Sequence, residues 1–261
     1  MIGVFDSGLG GLSVLSAIAR ASPDADLVYL ADTAHLPYGS KSDEFICERV
    51  LAIGRHLAEL GASTLVVACN TATAAALSAL RRQHPGINVV GVEPGVKPAA
   101  AASRSGAIAV LATESTAGSE RLSALIRTHA KAVSVRVEAC PGWATRVETL
   151  QPIDSDPAFA AEVAAKILPL LDAGIDRLVL GCTHYSFLAP LIERMVAGRA
   201  ELVDVADAVA RQVLRQSSGA GSGRLALLAT ATPARLDAAL PFLGLGWLAS
   251  RIWGPAALAE I

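Results

Sequence analysis

The sequence predicts an α/β fold made of two similar domains, each with a parallel sheet flanked by helices. Strand-like apolar runs alternate with helical segments along nearly all 261 residues, a pattern typical of parallel sheets. This order of strands and turns starts again near residue 95. Each half also contains a buried strand that ends in a small residue and a cysteine followed by polar side chains, at residues 64–71 and 178–185.

We expect the domain boundaries to follow this repetition. Residues 1–94 with 206–261 should form an N-terminal α/β domain that carries Cys69. Residues 95–205 should form a second α/β domain that carries Cys182. The last fifty or so residues look like a return to the first domain.

In the first half, residues 1–5 are apolar and form the first predicted strand. A glycine-rich turn after Asp6 leads into a helix whose apolar residues recur at helical spacing. The remaining predicted elements are a strand at 27–30, a loop at 32–40 containing Pro37 and Gly39, a helix at 43–60, the strand before Cys69, a helix at 73–83 and a strand at 88–92.

The second half repeats this order. Its predicted elements are a strand at 108–111, a helix at 118–129, a strand at 133–139, a helix at 157–172, the strand before Cys182, a helix at 188–196 and a strand at 201–205. They are followed by a helix at 207–215, a loop rich in Ser and Gly at 216–223, a strand at 224–229, a helix at 233–240 and a mixed tail at 247–261.

Composition limits the class of protein. Hydrophobic residues make up 52% of the chain, and the net charge is −2 with Lys and Arg dispersed, so no nucleic-acid partner is expected. No apolar run reaches the roughly 20 residues of a membrane helix, and no basic leader precedes the first strand. We therefore expect no membrane partner and a cytoplasmic location.

The cysteine spacing predicts reduced thiols. The chain has four cysteines, and no two of them form a CxxC pair: Cys47, Cys69, Cys140 and Cys182. This spacing argues against both a structural zinc site and a disulfide framework.

Two loops have a possible ligand-binding interpretation. Residues 8–13 nearly match the dinucleotide pattern GxGxxG, and Asp32 follows the second strand at a plausible distance for a ribose, but the third glycine is missing. An ordinary glycine-rich turn from strand to helix is the simpler interpretation. Pro37, Tyr38 and Gly39 could present main-chain N–H groups and a phenol to a ligand, or form an ordinary turn.

Cys69 and Cys182 follow the carboxyl ends of strands, where open α/β sheets bind ligands. If the two domains face each other, both thiols enter one interdomain cleft from opposite sides, and the active site is expected there. This arrangement suits inversion of a carbon with an acidic C–H, because one group removes a proton from one face while the other delivers a proton to the opposite face. A thiol suits both roles, since its reference pKa of about 8.5 lets thiol and thiolate coexist near neutral pH.

Each thiol needs a neighbour that takes or stabilises its proton. Asp6 ends the first strand and is placed to face Cys69, while His184 and Glu148 could serve Cys182. Further polar residues beside the thiols could hold a substrate carboxylate, namely Asn70, Thr71 and Thr183.

Each candidate also has a structural interpretation. A lone cysteine after a buried strand is usually an inert core residue, which we expect for Cys47 and Cys140. Asp6 could simply cap the first helix, and His184 could be structural. The repetition of a cysteine with polar neighbours in both halves favours chemistry, because core packing does not require those polar residues.

Five blocks in the same order resemble the glutamate racemases of the aspartate/glutamate racemase superfamily. They lie at residues 3–12 (GVFDSGLGGL), 32–39 (DTAHLPYG), 68–72 (ACNTA), 91–94 (GVEP) and 180–185 (LGCTHY). The blocks begin at residue 3 and end at residue 185, and the likeness covers nearly the whole chain.

The resemblance implies a cofactor-independent interconversion of L-glutamate and D-glutamate, without pyridoxal phosphate or metal. It implies that Cys69 abstracts the α-proton of D-glutamate with help from Asp6, and that Cys182 abstracts that of L-glutamate with help from His184 and Glu148. It also implies substrate contacts at Asp6, Ser7, Pro37, Tyr38, Gly39, Asn70, Thr71, Thr113, Thr183 and His184. Members of the family supply D-glutamate for peptidoglycan synthesis and commonly form homodimers.

The chain departs from the family pattern in two places. Residues 142–145 (GWAT) replace the usual large apolar residues after Cys140 and Pro141, and residues 113–116 (TEST) are unusual at the second position. Other interpretations also remain open: an aspartate or hydantoin racemase, a binding module without chemistry, and a NAD-dependent oxidoreductase.

Overall fold

The computed structural model describes residues 1–153, 155–217 and 221–261. Residues 218–220 of the predicted loop at 216–223 lie outside this range. The chain forms two compact units, Met1–Val92 with Ala206–Ile261, and Glu93–Val205.

The elements of both units are given in chain order. The strands are β1 (Ile2–Asp6), β2 (Leu27–Ala31), β3 (Thr64–Val67), β4 (Asn88–Gly91), β5 (Ala107–Ala112), β6 (Ser134–Ala139), β7 (Arg177–Leu180), β8 (Glu201–Val203), β9 (Leu225–Ala229) and β10 (Ala257–Leu258). The helices are α1 (Leu12–Ala21), α2 (Asp43–Glu59), α3 (Asn70–Gln83), α4 (Val96–Ala102), α5 (Glu114–Ala117), α6 (Glu120–His129), α7 (Trp143–Glu148), α8 (Pro157–Asp172), α9 (Ala189–Val196), α10 (Ala206–Gln216) and α11 (Ala234–Phe242). Short 3-10 turns lie at Tyr38–Ser40, Thr183–Leu188 and Gly246–Arg251.

The first unit contains a sheet in the order β10-β9-β2-β1-β3-β4, in which the paired strands are parallel. Every residue of β1, β2 and β3 is buried. Continuous burial fits their apolar sequences, because helices cover both faces of a parallel sheet. Since β1 and β3 are neighbours, their carboxyl ends lie side by side, which brings Asp6 next to the segment that begins at Ala68.

The second unit contains a parallel sheet in the order β6-β5-β7-β8. This repeats the order β2-β1-β3-β4 of the first unit, so the strand before Cys182 has the same position as the strand before Cys69. Gly181 directly follows β7. A Cβ atom at this position would lie 2.7 Å from the carbonyl oxygen of Leu111, so no larger residue fits there. The predicted fold class, an α/β protein with two parallel sheets flanked by helices, is confirmed.

The structure differs from the predicted elements in several places. The helix expected at 118–129 is α6, which begins at Glu120 because Ser119 caps it by accepting a hydrogen bond from the N–H of Leu122. The short helix α5, just before it, was not predicted. The helix expected at 73–83 begins earlier, because Cys69 caps α3. Helices α4 and α7 were not predicted. In α4, Pro98 lies in the first turn, where proline is compatible with a helix.

Among the residues that the structure describes, no helix has the length and apolar character needed to cross a membrane.

Candidate active site

Cys69 lies at the junction between β3 and α3. Its Sγ atom accepts a hydrogen bond from the N–H of Ala72 at 3.5 Å and caps the 14-residue helix α3. The side chain is almost buried, with 7% of the residue exposed. Because the N-terminus of a helix carries a partial positive charge, this position stabilises a thiolate.

Ser7 connects Asp6 with Cys69. The Ser7 hydroxyl lies 4.0 Å from Sγ of Cys69 and 3.3 Å from Oδ1 of Asp6, and this carboxylate oxygen also accepts the N–H of Gly8 at 2.7 Å. The N-cap residue of α1 is Gly11, five residues after Asp6, and it has no side-chain cap of its own. The structure therefore brings Asp6, Ser7 and Cys69 together in the first unit.

Asn70 is buried without an internal partner. Only 6% of the residue is exposed, and neither its Oδ1 nor its Nδ2 atom forms a hydrogen bond with the described residues. Buried polar groups are rarely left in this state in a folded protein. Together with its place at the start of α3, this indicates a residue that binds a polar ligand. Thr71 follows it and is also buried.

The loop with Pro37, Tyr38 and Gly39 is anchored through the tyrosine. The Tyr38 side chain is buried, and its hydroxyl donates a hydrogen bond to Oδ2 of Asp32 at 2.6 Å. Pro37 and Gly39 are exposed. The phenol therefore serves to fix the loop, which leaves the main chain of residues 37–39 as the part of this turn that can face a ligand.

Asp32 is the centre of that anchor. Its carboxylate accepts hydrogen bonds from Nε and Nη2 of Arg49 at 3.0 and 2.9 Å and from the Thr230 hydroxyl at 2.8 Å. Burial alone would raise the pKa of Asp32, but the bonds from Arg49, Tyr38 and Thr230 hold that pKa below its usual value. The side chain is fully buried and engaged inside the unit, which argues against a role in binding a ribose.

Cys182 follows β7 and begins the 3-10 turn Thr183–Leu188. Its Sγ atom lies 3.5 Å from Nδ1 of His184, and Nε2 of His184 lies 2.5 Å from Oε1 of Glu148. All three residues are buried. The second unit therefore contains a continuous carboxylate, imidazole and thiol array, with Glu148 supplied by the last residue of α7.

This array favours a charged imidazole. Burial lowers the pKa of His184, but the negative charge and hydrogen bond of Cys182, together with Glu148, raise that pKa well above its usual value. An imidazolium can donate one N–H to the carboxylate and the other to a thiolate. His184 is therefore placed to stabilise the ionised form of Cys182.

The other predicted residues of the second unit have local roles. Thr113 follows β5 and caps α5, accepting the N–H of Thr116 at 3.2 Å and donating to the Thr116 hydroxyl at 3.1 Å. Thr183 is buried at the start of the turn after Cys182.

Cys140 is also buried, and desolvation raises the pKa of its thiol to about 12, consistent with the inert role expected for it. Cys47, in the first unit, is half-buried and packs against the core.

Sequence reasoning missed Arg49 and the helical context of Glu148. Arg49 is a basic residue between the buried positions Ile46 and Val50 of α2, and that placement was the available signal. Glu148 was predicted only to follow a strand, because the six residues of α7 are too few to show helical periodicity.

Comparison with known proteins assigns the chain to a family. The model of the Asp/Glu/Hydantoin racemase family matches residues 2–213. The chain therefore belongs to this family of racemases, which are isomerases.

Within the family, the chain is similar to glutamate racemases. It is 49% identical over 216 residues to the glutamate racemase of Ectopseudomonas mendocina (strain ymp), covering 82% of this chain and 81% of that protein. It is 46% identical over 243 residues to that of Pseudomonas aeruginosa (strain UCBPP-PA14), covering 92% and 89%. The crystal structure of Escherichia coli glutamate racemase in complex with L-glutamate and the activator UDP-MurNAc-ala matches with a TM-score of 0.85 and 29% identity, covering 99% of this chain and 97% of that one. These relatives confirm the resemblance found in the sequence.

Proposed function

We propose that this racemase interconverts L-glutamate and D-glutamate by proton transfer between two thiols and the α-carbon. The observation that carries the proposal is that each unit has a buried cysteine at the carboxyl end of a strand, and that each cysteine has its own acid–base partner. The proposal requires the two sulfur atoms to face one substrate from opposite sides, in the interdomain cleft expected from the sequence.

In the direction from L- to D-glutamate, the Cys182 thiolate removes the α-proton. The Cα–H bond breaks, an S–H bond forms, and the electron pair stays on the α-carbon and its carboxylate. The Cys69 thiol then donates its proton to the opposite face and becomes a thiolate. The reverse direction uses the same groups in the opposite order, so each turnover exchanges the protonation states of the two thiols.

The neighbours of the thiols support these roles. Asp6 acts through Ser7 on the Cys69 side, and Glu148 acts through His184 on the Cys182 side. Positioned acid–base groups contribute roughly 10² to 10⁴ each to a rate. The carbanion-like state also needs hydrogen-bond donors. The residues proposed to bind the substrate are Asp6, Ser7, Pro37, Tyr38, Gly39, Asn70, Thr71, Thr113, Thr183 and His184.

Glutamate is the proposed substrate because the similar enzymes are named glutamate racemases, and one of them is solved with L-glutamate. The unpartnered amide of Asn70 fits this choice, since it can both donate and accept at a polar amino-acid substrate. We propose a cytoplasmic homodimer that needs no added cofactor and supplies D-glutamate for peptidoglycan synthesis.

The reaction is tested by incubating the pure protein with L-glutamate in deuterated water, without pyridoxal phosphate, metal or nucleotide. We expect D-glutamate that carries deuterium at the α-carbon, detected by NMR and chiral chromatography. Parallel reactions with L-aspartate and a hydantoin test the other substrates of the family. Glutamate binding without any exchange would instead support a binding module, and a requirement for NAD would support an oxidoreductase.

The two-thiol assignment is tested by Cys69→Ala and Cys182→Ala. Each variant should lose racemisation, because inversion needs a proton removed from one face and one delivered to the other. Cys47→Ala is the matched control and should keep full activity, since Cys47 is a half-buried thiol outside the candidate site. Full activity in either of the first two variants would refute the assignment.

A further inference from the structure

The side chain that orients His184 is carried by a helix too short to hold its own position. α7 has six residues, and isolated helices shorter than about 12 residues are marginal in water. Its N-cap, Gly142, has φ +82° and provides no side-chain cap. A rotation by one residue turns a helix by about 100°, which would carry Glu148 away from His184. The register of α7 must therefore come from contacts with other elements.

The first of these contacts is made by Trp143 at the start of α7. Its ring is fully buried and packs edge-on against Tyr185, with ring centroids 5.4 Å apart. Its Nε1–H donates a hydrogen bond to Oε1 of Glu162 on α8 at 3.2 Å. Tyr185 directly follows His184, and its hydroxyl donates to the carbonyl oxygen of Cys140 at 3.0 Å. The aromatic pair thus connects the beginning of α7 with the segment that carries the imidazole.

The second contact is made by Arg146, one turn later. Its guanidinium donates to the carbonyl oxygen of Pro152 at 3.1 Å through Nε, and it forms an ion pair with Asp156, the residue that caps α8. The guanidinium carbon also lies 4.9 Å from the centroid of the Phe159 ring. Both turns of α7 are therefore fastened to α8 or to the segment before it.

We propose that Trp143 and Arg146 are positioning residues for the Cys182 side of the reaction, because they hold α7 in the register at which Glu148 reaches His184. Neither side chain is one of the proposed substrate contacts, and both act through Glu148. This inference rests on the proposed function, since its effect is measured on proton transfer at Cys182. It also gives a role to Trp143, which lies in the segment 142–145 where the chain departs from the family pattern.

The test is a double-mutant cycle in the full chain with Trp143→Leu, Glu148→Gln and the double variant. If Trp143 acts through Glu148, Trp143→Leu lowers kcat about tenfold to a hundredfold with little change in KM, as expected for a misplaced catalytic group. The double variant should then be no slower than Glu148→Gln alone. Multiplied effects, or an unchanged kcat in Trp143→Leu, would overturn the proposal.

A second readout separates positioning from general damage to the fold. With α-deuterated L-glutamate, whose deuteron is removed at Cys182, the primary isotope effect on kcat/KM should increase in Trp143→Leu. With α-deuterated D-glutamate it should not increase. Trp143→Phe keeps the ring contact with Tyr185 and should recover most of the rate. Equal increases for both enantiomers would indicate a general defect and contradict the proposal.

Controls make each outcome decisive. Trp247→Leu introduces the same change at a half-exposed tryptophan of the first unit and should leave kcat unchanged. If Trp143→Leu does not fold, as judged by thermal denaturation, Arg146→Leu replaces it in the same cycle with the same expected result. A wild-type protein without racemase activity would refute the proposed function itself, whereas an active wild type with multiplied effects refutes only the positioning role.

Discussion

At the scale of single residues, the two thiols differ in what stabilises their negative charge. Cys69 accepts a main-chain N–H at the beginning of α3, so a helix N-terminus serves as its positive partner. Cys182 lies beside His184, whose charge is maintained by Glu148. The first arrangement uses main-chain dipoles, and the second uses a side chain that can gain or lose a proton. We therefore expect the pH dependence of the reaction to arise mainly on the Cys182 side.

Removing the carboxylate of Glu148 tests this difference. Because Glu148 is one of the groups that raise the pKa of His184, Glu148→Gln should lower that pKa. The imidazolium would then lose its proton at lower pH, so the alkaline limb of kcat/KM for L-glutamate should move to lower pH. Glu193→Gln, at an exposed position of α9, is the control. An alkaline limb that stays in place or moves to higher pH would contradict the assignment.

Gly11 provides a steric test of the Asp6 position. A Cβ atom at Gly11 would lie 2.6 Å from Cβ of Asp6 and 3.0 Å from Cβ of Ala68, so Gly11→Ala must displace the strand ends around the site. We expect a loss of roughly 1–3 kcal/mol in stability, as for other overpacked sites, together with reduced activity. In Gly86→Ala the added methyl group meets no atom within 4 Å. Denaturant unfolding of both variants measures the difference, and equal stability would show that the site tolerates the change.

At the scale of elements, one buried carboxylate fastens three parts of the first unit. Asp32 binds Tyr38 in the loop after β2, Arg49 in α2 and Thr230 just after β9. The loop with the proposed substrate contacts therefore depends on residues far away in the sequence. In the second unit, α7 carries the site residue Glu148. Contacts with Glu162 on α8 and with Asp156, which caps α8, hold α7 in place.

The Asp32 cluster predicts acid sensitivity. Burial alone would raise the folded-state pKa of Asp32. That pKa nevertheless lies below the ordinary value of an aspartate, because Arg49, Tyr38 and Thr230 donate hydrogen bonds to the carboxylate. Its stabilising contribution is therefore present at pH above the usual pKa of an aspartate, about 3.9, and is lost as pH falls through the lower folded-state pKa. Asp32→Asn should make the free energy of unfolding less dependent on pH below about 4. Asp24→Asn, at an exposed position, should retain the wild-type dependence, and the same slope in both variants would refute the prediction.

The elements and site residues that could be predicted were those marked by a pattern of neighbouring residues in the sequence. Apolar runs of β-forming residues located the strands, and the repeated cysteine blocks located both candidate thiols. The ion pair between Asp32 and Arg49 could not be predicted from such local signals, because the two side chains meet only after α2 packs on the sheet. α7 was missed because six residues do not show helical periodicity, and its position depends on Tyr185 and α8. The Ser7 hydroxyl between Asp6 and Cys69 likewise follows from the pairing of β1 with β3.

At the scale of the whole molecule, one strand order occurs twice and carries two cysteines with different neighbours. The orders β2-β1-β3-β4 and β6-β5-β7-β8 each place a cysteine after the third strand of the repeat. Thr113 in the second unit follows β5 as Ser7 follows β1 in the first. A repeat of this kind is suited to a reaction whose two directions are mirror images, because each half can serve one enantiomer. We propose that each thiol removes the α-proton of one enantiomer only.

The most direct test of this claim follows α-proton exchange in variants that keep a single thiol. In deuterated water, Cys69→Ala retains Cys182 and should exchange the α-proton of L-glutamate without producing D-glutamate. Cys182→Ala retains Cys69 and should exchange only the α-proton of D-glutamate. Loss of the α-proton NMR signal measures both reactions. Exchange of the same enantiomer by both variants, or racemisation by either one, would contradict the two-thiol account.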